Sequence, residues 1–185
     1  MMSLLSSRSA SVVAVLLALA CIALPAMALE TKVLILEERN LSIDLNSSFE
    51  MAQKRVDNTT EGIFTQTLLL TNTQSDGSAF VQVGSVYDPA IKALSAESIS
   101  QQWITGVLIA SAPKNGTLDQ NWTAADSLGQ NVTVFTVLPE DPSLQAFGRT
   151  MYVANWNVDQ DTYVGLLSFF NRSVTSHIIE TLAMS

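Results

Sequence analysis

Apolar and polar residues alternate with a period of two through most of this chain, and helical spacing takes over in two places. Leu41-Ser42-Ile43-Asp44-Leu45 puts three apolar side chains on one face and two polar ones on the other, the pattern of a strand with one face buried and one wet. The β-branched run Thr31 to Leu36 predicts a strand or a spacer leading to one. Phe49 to Val56 is expected to pair with the 41–45 strand through a turn at Asn46-Ser47-Ser48. Phe64 to Thr71 alternates again, with Phe64, Leu68 and Leu70 on one side and Thr65, Thr67 and Thr71 on the other. A Gly-containing turn from Thr73 to Ser78 leads to a strand over Ala79 to Tyr87, where Val81, Val83 and Tyr87 share a side and which Pro89 ends.

Helical spacing begins after Ser95, a good N-cap with Glu97 in the first turn. Ile99, Trp103, Ile104, Val107 and Leu108 then recur on one stripe up to Pro113, which predicts the main helix over about Ala96 to Ala112. Strands follow at Thr117 to Thr123 and Asn131 to Leu138, separated by the turn Asp126-Ser127-Leu128-Gly129. The loop Pro139-Glu140-Asp141-Pro142 precedes a hairpin of Thr150 to Val158 and Thr162 to Phe170, joined by Asp159-Gln160-Asp161. Val174, Ile178, Ile179 and Leu182 mark a short amphipathic helix within Ser173 to Met184. Runs of strands around two separated helices predict an α+β fold: a single domain with a central antiparallel β-sheet flanked by a main helix and a C-terminal helix.

The order of these elements resembles the PsbP/Mog1-like superfamily. The likeness is carried by Leu41-Ser42-Ile43-Asp44-Leu45 with Phe49, by Phe80-Val81-Gln82-Val83, by the helix start Leu94-Ser95-Ala96-Glu97, and by Tyr163-Val164 ahead of the terminal helix. It rests on element order and apolar pattern over most of the chain after residue 28. The resemblance implies a central antiparallel sheet flanked by helices, in proteins that mostly bind partners instead of performing chemistry, and it transfers no functional residue.

Residues Met1 to Ala28 carry the three parts of a signal peptide: a short front with Arg8, an apolar stretch from Val12 to Leu24, and the small-residue exit Ala26-Met27-Ala28. The stretch is short of the ~20 residues a membrane-spanning helix needs, and Pro25 breaks the helix just before the exit. Cleavage is expected, leaving 29–185 as one extracytoplasmic domain. An uncleaved anchor, or lipidation at Cys21 in the loosely lipobox-like Ala18-Leu19-Ala20-Cys21, would be the domain's only tie to a membrane. Cys21 is the sole cysteine, so the domain is expected to rely on its core without disulfides. A chain of this length can bury about 68–70% of its unfolded surface, which is enough for that.

Seven of the ten asparagines sit in Asn-x-Ser/Thr with no proline at the middle position: Asn40, Asn46, Asn58, Asn115, Asn121, Asn131 and Asn171. About one residue in five after the leader is Ser or Thr, so ten randomly placed Asn would yield roughly two such triplets. The excess points to N-glycosylation on the outer side of a membrane. Asn131 precedes an apolar run and is expected to be modified less often than Asn40, Asn46 or Asn58. Many sequons without cysteine suit a prokaryotic exterior, in particular an archaeal-type exported protein. The formal net charge is −8, with 17 acidic against 9 basic side chains, and loss of Arg8 makes it more negative. No basic stripe offsets this, which argues against nucleic acid as a partner.

Chemistry is sparsely signalled. His177, the single histidine, reads as a helix-face residue. Asp159-Gln160-Asp161 begins like a calcium loop but lacks the glycine and the bidentate acid that should follow, so it reads as a hairpin turn and no metal or cofactor is implied. Trp103 is expected in the core on its helix, while the facing of Trp122 and Trp156 is open, and any of the three can stack on a sugar. The expectation is an exported, glycosylated, non-enzymatic module that binds a protein or another envelope component at the cell surface. The alternative is a small extracellular hydrolase using two carboxylates drawn from Asp159, Asp161 and Glu140. The sequence names neither partner nor oligomeric state.

Overall fold

A computed structural model describes residues 29–36, 39–58, 63–86, 101–108 and 119–185. Strands β1 (Leu29–Leu36) and β2 (Arg39–Asn46) pair antiparallel along their full length. The other edge of β2 takes the two-residue β10 (Ala183–Met184), with Ser42 opposite Ala183 and Leu41 opposite Met184. Ser185 extends that ladder, exchanging backbone hydrogen bonds with Asn40 at 2.8 and 2.9 Å. These three strands form a small sheet of order β1-β2-β10.

The remaining strands are β3 (Phe49–Asn58), β4 (Ile63–Asn72), β5 (Ser78–Val86), β6 (Asp119–Ala125), β7 (Asn131–Val137), β8 (Met151–Asn157) and β9 (Thr162–Ser168). They make a second sheet of order β3-β4-β5-β9-β8-β7-β6, antiparallel throughout. Three helical segments are described: α1 at residues 101–108, α2 (Pro142–Gln145) and α3 (Arg172–Thr181). The protein is thus mostly antiparallel β-sheet with a few helices, broadly of the α+β kind.

Alternation along the central strands sends neighbouring residues to opposite faces of the large sheet. Val81, Ala154 and Leu166 join one buried cluster, while Phe80, Val153 and Leu167 join another. The first cluster also contains Leu41, Ile43 and Leu45 of β2, each at most 1% exposed, together with Ile178, Ile179 and Leu182. Burial of side chains of this size contributes roughly 1.5–3 kcal/mol apiece, and it is this apolar stripe of β2 that holds the small sheet on the large one. Ser168 Oγ and Thr175 Oγ1 lie 2.8 Å apart in the same interior and tie β9 to α3. The second cluster gathers Ile104, Val137, Met151, Val153 and Phe169, with Trp103 packed against it.

Three expectations need correction. Phe49 to Val56 does not pair with the 41–45 strand: β3 pairs with β4, from Phe49 opposite Asn72 to Asn58 opposite Phe64. Asn46-Ser47-Ser48 therefore passes the chain from one sheet to the other. Asn46 Oδ1 accepts hydrogen bonds from the Ser48 N–H, at 3.0 Å, and from the Ser48 hydroxyl, while Ser48 O accepts from Thr73 N at 2.9 Å. The terminal helix stops at Thr181 instead of running to Met184, because Leu182 turns to an extended backbone and releases the last residues to β2. The 139–142 loop ends in a helical turn, with Asp141 as N-cap and Pro142 in the first turn. Of the helix expected over Ala96 to Ala112, residues 101–108 are helical and the rest lies outside the described residues, as do Met1 to Ala28 with Cys21, Tyr87 and Pro89.

Turn chemistry is as expected in two places. Gly77, with φ of 139°, and Gly129, with φ of 78°, take the positive φ that other residues avoid. In the Asp126–Gly129 turn the buried Asp126 carboxylate accepts backbone N–H bonds from Leu128 at 2.9 Å and Gln130 at 2.7 Å.

Candidate glycosylation surface

Three sequons coincide with strand alternation, so that the middle residue points inward and the acceptor outward. Asn40 is exposed while Leu41 is fully buried. On β6, Asn121 and Thr123 are exposed on either side of the half-buried Trp122, which packs on the core. On β7, Asn131 and Thr133 are exposed on either side of Val132, which is 2% exposed. Thr123 lies opposite Thr133 in the ladder, so the two triplets share one face of the β6–β7 pair. The apolar run after Asn131 belongs to the interior through Val132 and Val134, yet Asn131 itself faces solvent. The premise for ranking it below Asn40 and Asn46 does not hold.

Asn171 is the N-cap of α3. Its Oδ1 accepts from Val174 N at 2.9 Å, with the side chain exposed. A glycan is joined through Nδ2, so the capping oxygen stays available and the two roles are compatible. Asn46 is less accessible than Asn40, Asn121, Asn131 and Asn171. It is half-buried, and its sequon hydroxyl, on Ser48, is buried and hydrogen-bonded to Asn46 Oδ1. Asn58 closes β3, and Asn115 lies outside the described residues.

Of the carboxylates proposed for hydrolysis, Asp159 and Asp161 share one turn and Glu140 lies on another loop. Glu140 is exposed on the loop that precedes β8, whereas Asp159 and Asp161 lie on the turn that follows it. β8, between that loop's far end and the turn, is seven residues long, about 20 Å at the usual rise, where a glycosidase pair stands roughly 5–9.5 Å apart. Asp159 Oδ1 accepts the Asp161 N–H at 2.8 Å, the bond of an Asx turn. Asp159 also lines an open depression of about 280 Å³ between the β6–β7 turn, the β8–β9 turn and residues 183–185, and among the described residues it is the only acidic side chain there. Beside Glu140, the Ser143 hydroxyl and then its backbone N–H, at 2.7 and 2.8 Å, hold the Asp141 carboxyl below the ordinary aspartate range. Among the described residues no group of three or more His, Cys, Asp or Glu is placed to hold a metal.

His177 is a helix-face residue that makes a specific bond. Its Nε2 lies 2.7 Å from the carbonyl oxygen of Asp44 and donates to it. The neighbouring Thr181 Oγ1 accepts the Asp44 N–H at 3.3 Å, so α3 grips β2 at both polar groups of one residue. The tryptophans divide. Trp156 is 7% exposed in the first cluster, and Trp103 lies over Gly165 with its Nε1 donating to Gln82 Oε1. Trp122 lies beneath the Arg172 guanidinium at 4.5 Å and edge-on to Tyr152 at 5.8 Å. Sequence spacing could not have revealed that last grouping, because Trp122, Tyr152 and Arg172 come from three elements.

Comparison of the chain with protein-family models, with curated proteins and with solved structures found no match. Among the described residues no helix is long and apolar enough to cross a membrane.

Proposed function

We propose that this protein is an exported, N-glycosylated, non-enzymatic module of the cell surface that binds a protein or another envelope component. The observation that carries the reading is the outward presentation of Asn40, Asn121, Asn131 and Asn171, whose side chains are all exposed while the residues between acceptor and hydroxyl on the strands fill the core. The separation of Glu140 from Asp159 and Asp161 across the length of β8 weighs against a carboxylate pair drawn from both ends of that strand. The PsbP/Mog1-like resemblance belongs to the same proposal, as does the finer architecture in which the main helix and the C-terminal helix flank the central sheet. Both favour a partner-binding role.

Intact mass of the protein from its native host tests the exported, glycosylated part. The expected result is a polypeptide of residues 29–185 carrying several glycans, and a bare chain that retains Met1 to Ala28 would overturn it. Assay of the purified protein on a panel of glycosides and esters tests the rest. Turnover abolished by changing a single carboxylate would replace a binding module with a hydrolase.

A further inference from the structure

The two outer strands of the seven-stranded sheet are protected unequally. Among the described residues β3 and β6 each hydrogen-bond to a neighbour on one side only, and an edge of that kind offers a row of backbone donors and acceptors to an approaching strand. The sequence of β3 carries Glu50, Lys54, Arg55 and Asp57, and its pairing with β4 shifts register between Gln53 and Arg55. Charge and a bulge are the usual means by which an edge resists self-association. β6 has a register shift at its start, between Asp119 and Asn121, but from there it reads Asn121-Trp122-Thr123-Ala124-Ala125, with neither charge nor proline. What it does have is a sequon, with an exposed acceptor and an exposed hydroxyl.

We propose that a glycan on Asn121 is the edge protection of β6, preventing a second copy of this chain from adding to the sheet there. An added strand must lie about 4.8 Å from β6 and bring its own side chains level with those of Asn121 and Thr123. A branched sugar on Asn121 occupies that space and is strongly hydrated, so it excludes the pairing that a lysine would exclude by its charge. Asn131 is equally exposed on the same face, but it lies on β7, which is hydrogen-bonded on both sides. A glycan there has no open edge to cover. The inference rests on the glycosylation reading given above.

The test uses the full chain expressed in its native host: the natural protein, Asn121→Gln, Thr123→Val, Asn131→Gln and Asn121→Lys. Site-resolved mass spectrometry reports the sugars, and size-exclusion chromatography with light scattering reports the assembly. The natural protein and Asn131→Gln are expected to be monomeric. Asn121→Gln and Thr123→Val, which lose the same glycan through different residues, should at least double in mass, and Asn121→Lys should return to the monomer without sugar. A natural protein bare at Asn121 defeats the inference through its premise, and mass spectrometry alone shows it. Monomeric, sugar-free Asn121→Gln and Thr123→Val proteins defeat it with the premise intact. Equal association of Asn131→Gln defeats it as well, by making the effect one of sugar content alone.

Discussion

The Tyr163 ring lies across the backbone of Gly84, its cross-strand partner, so closely that a Cβ on Gly84 would stand 2.2 Å from the ring. The same arrangement recurs at Gly165, where a Cβ would meet the Trp103 ring at 2.5 Å. Two bare backbone positions on adjacent strands therefore let two large aromatic rings lie flat on the sheet.

Gly84→Ala is expected to force Tyr163 off its site and to lower stability by about 1–3 kcal/mol, the usual effect of overfilling a packed interior. Gly106→Ala is the control, since nothing lies within 4 Å of the added carbon and α1 gains a better helix former. Denaturant midpoints measure both. Equal midpoints for Gly84→Ala and the natural protein would show that the tyrosine is free to move aside.

Alkaline pH should act through Tyr163. Burial raises its phenol above the ordinary value of 10.0, so the folded state holds the proton more tightly than the unfolded chain. The stabilisation is complete below about pH 10 and is lost as pH rises from there through the folded pKa. The difference in tyrosinate absorbance between the natural protein and Tyr163→Phe should show an ionisation above the ordinary phenol range that accompanies unfolding. Ionisation of Tyr163 in the ordinary range with no loss of structure would contradict this.

His177→Ala removes the donor to Asp44 O and leaves that carbonyl without its helix partner. The expected loss is about 0.5–1.5 kcal/mol, with faster hydrogen exchange in β2 than in β8. Exchange that rises uniformly across both sheets would mean that the bond does not act locally on the small sheet.

Asp126→Ala takes the acceptor from two backbone N–H groups in the β6–β7 turn. About 1–3 kcal/mol should be lost, and Asp126→Asn, which keeps an oxygen in place, should recover most of it. Thermal unfolding of the pair decides the point, because equal melting temperatures would show that the turn does not depend on this oxygen.

Period-two alternation in the sequence revealed most strands, because β2 and β4 to β9 each have at least one face in the core and the pattern reports faces directly. It did not reveal partners. Leu41 to Leu45 and Phe49 to Val56 look like the two arms of a hairpin, yet the Asn46 side chain closes its own turn on Ser48 and directs β3 into the other sheet. β10 is too short to have a pattern and exists only because β2 offers it an edge. Trp156 could not be assigned a face because β8 is covered on both sides, with Val153 in one cluster and Ala154 in the other. The acceptor asparagines were legible as triplets. Their accessibility was not, because the buried hydroxyl of Ser48 and the open one of Thr123 look alike in a string of letters.

The seam between residues 40–42 and 183–185 joins parts of the chain about 140 positions apart. A polypeptide emerging N-terminus first cannot form it until residues 183–185 are free, however early the preceding strands condense. Until then Leu41 and Ser42 lack their second neighbour, and the rim of the small sheet at Asn40 stays unfinished.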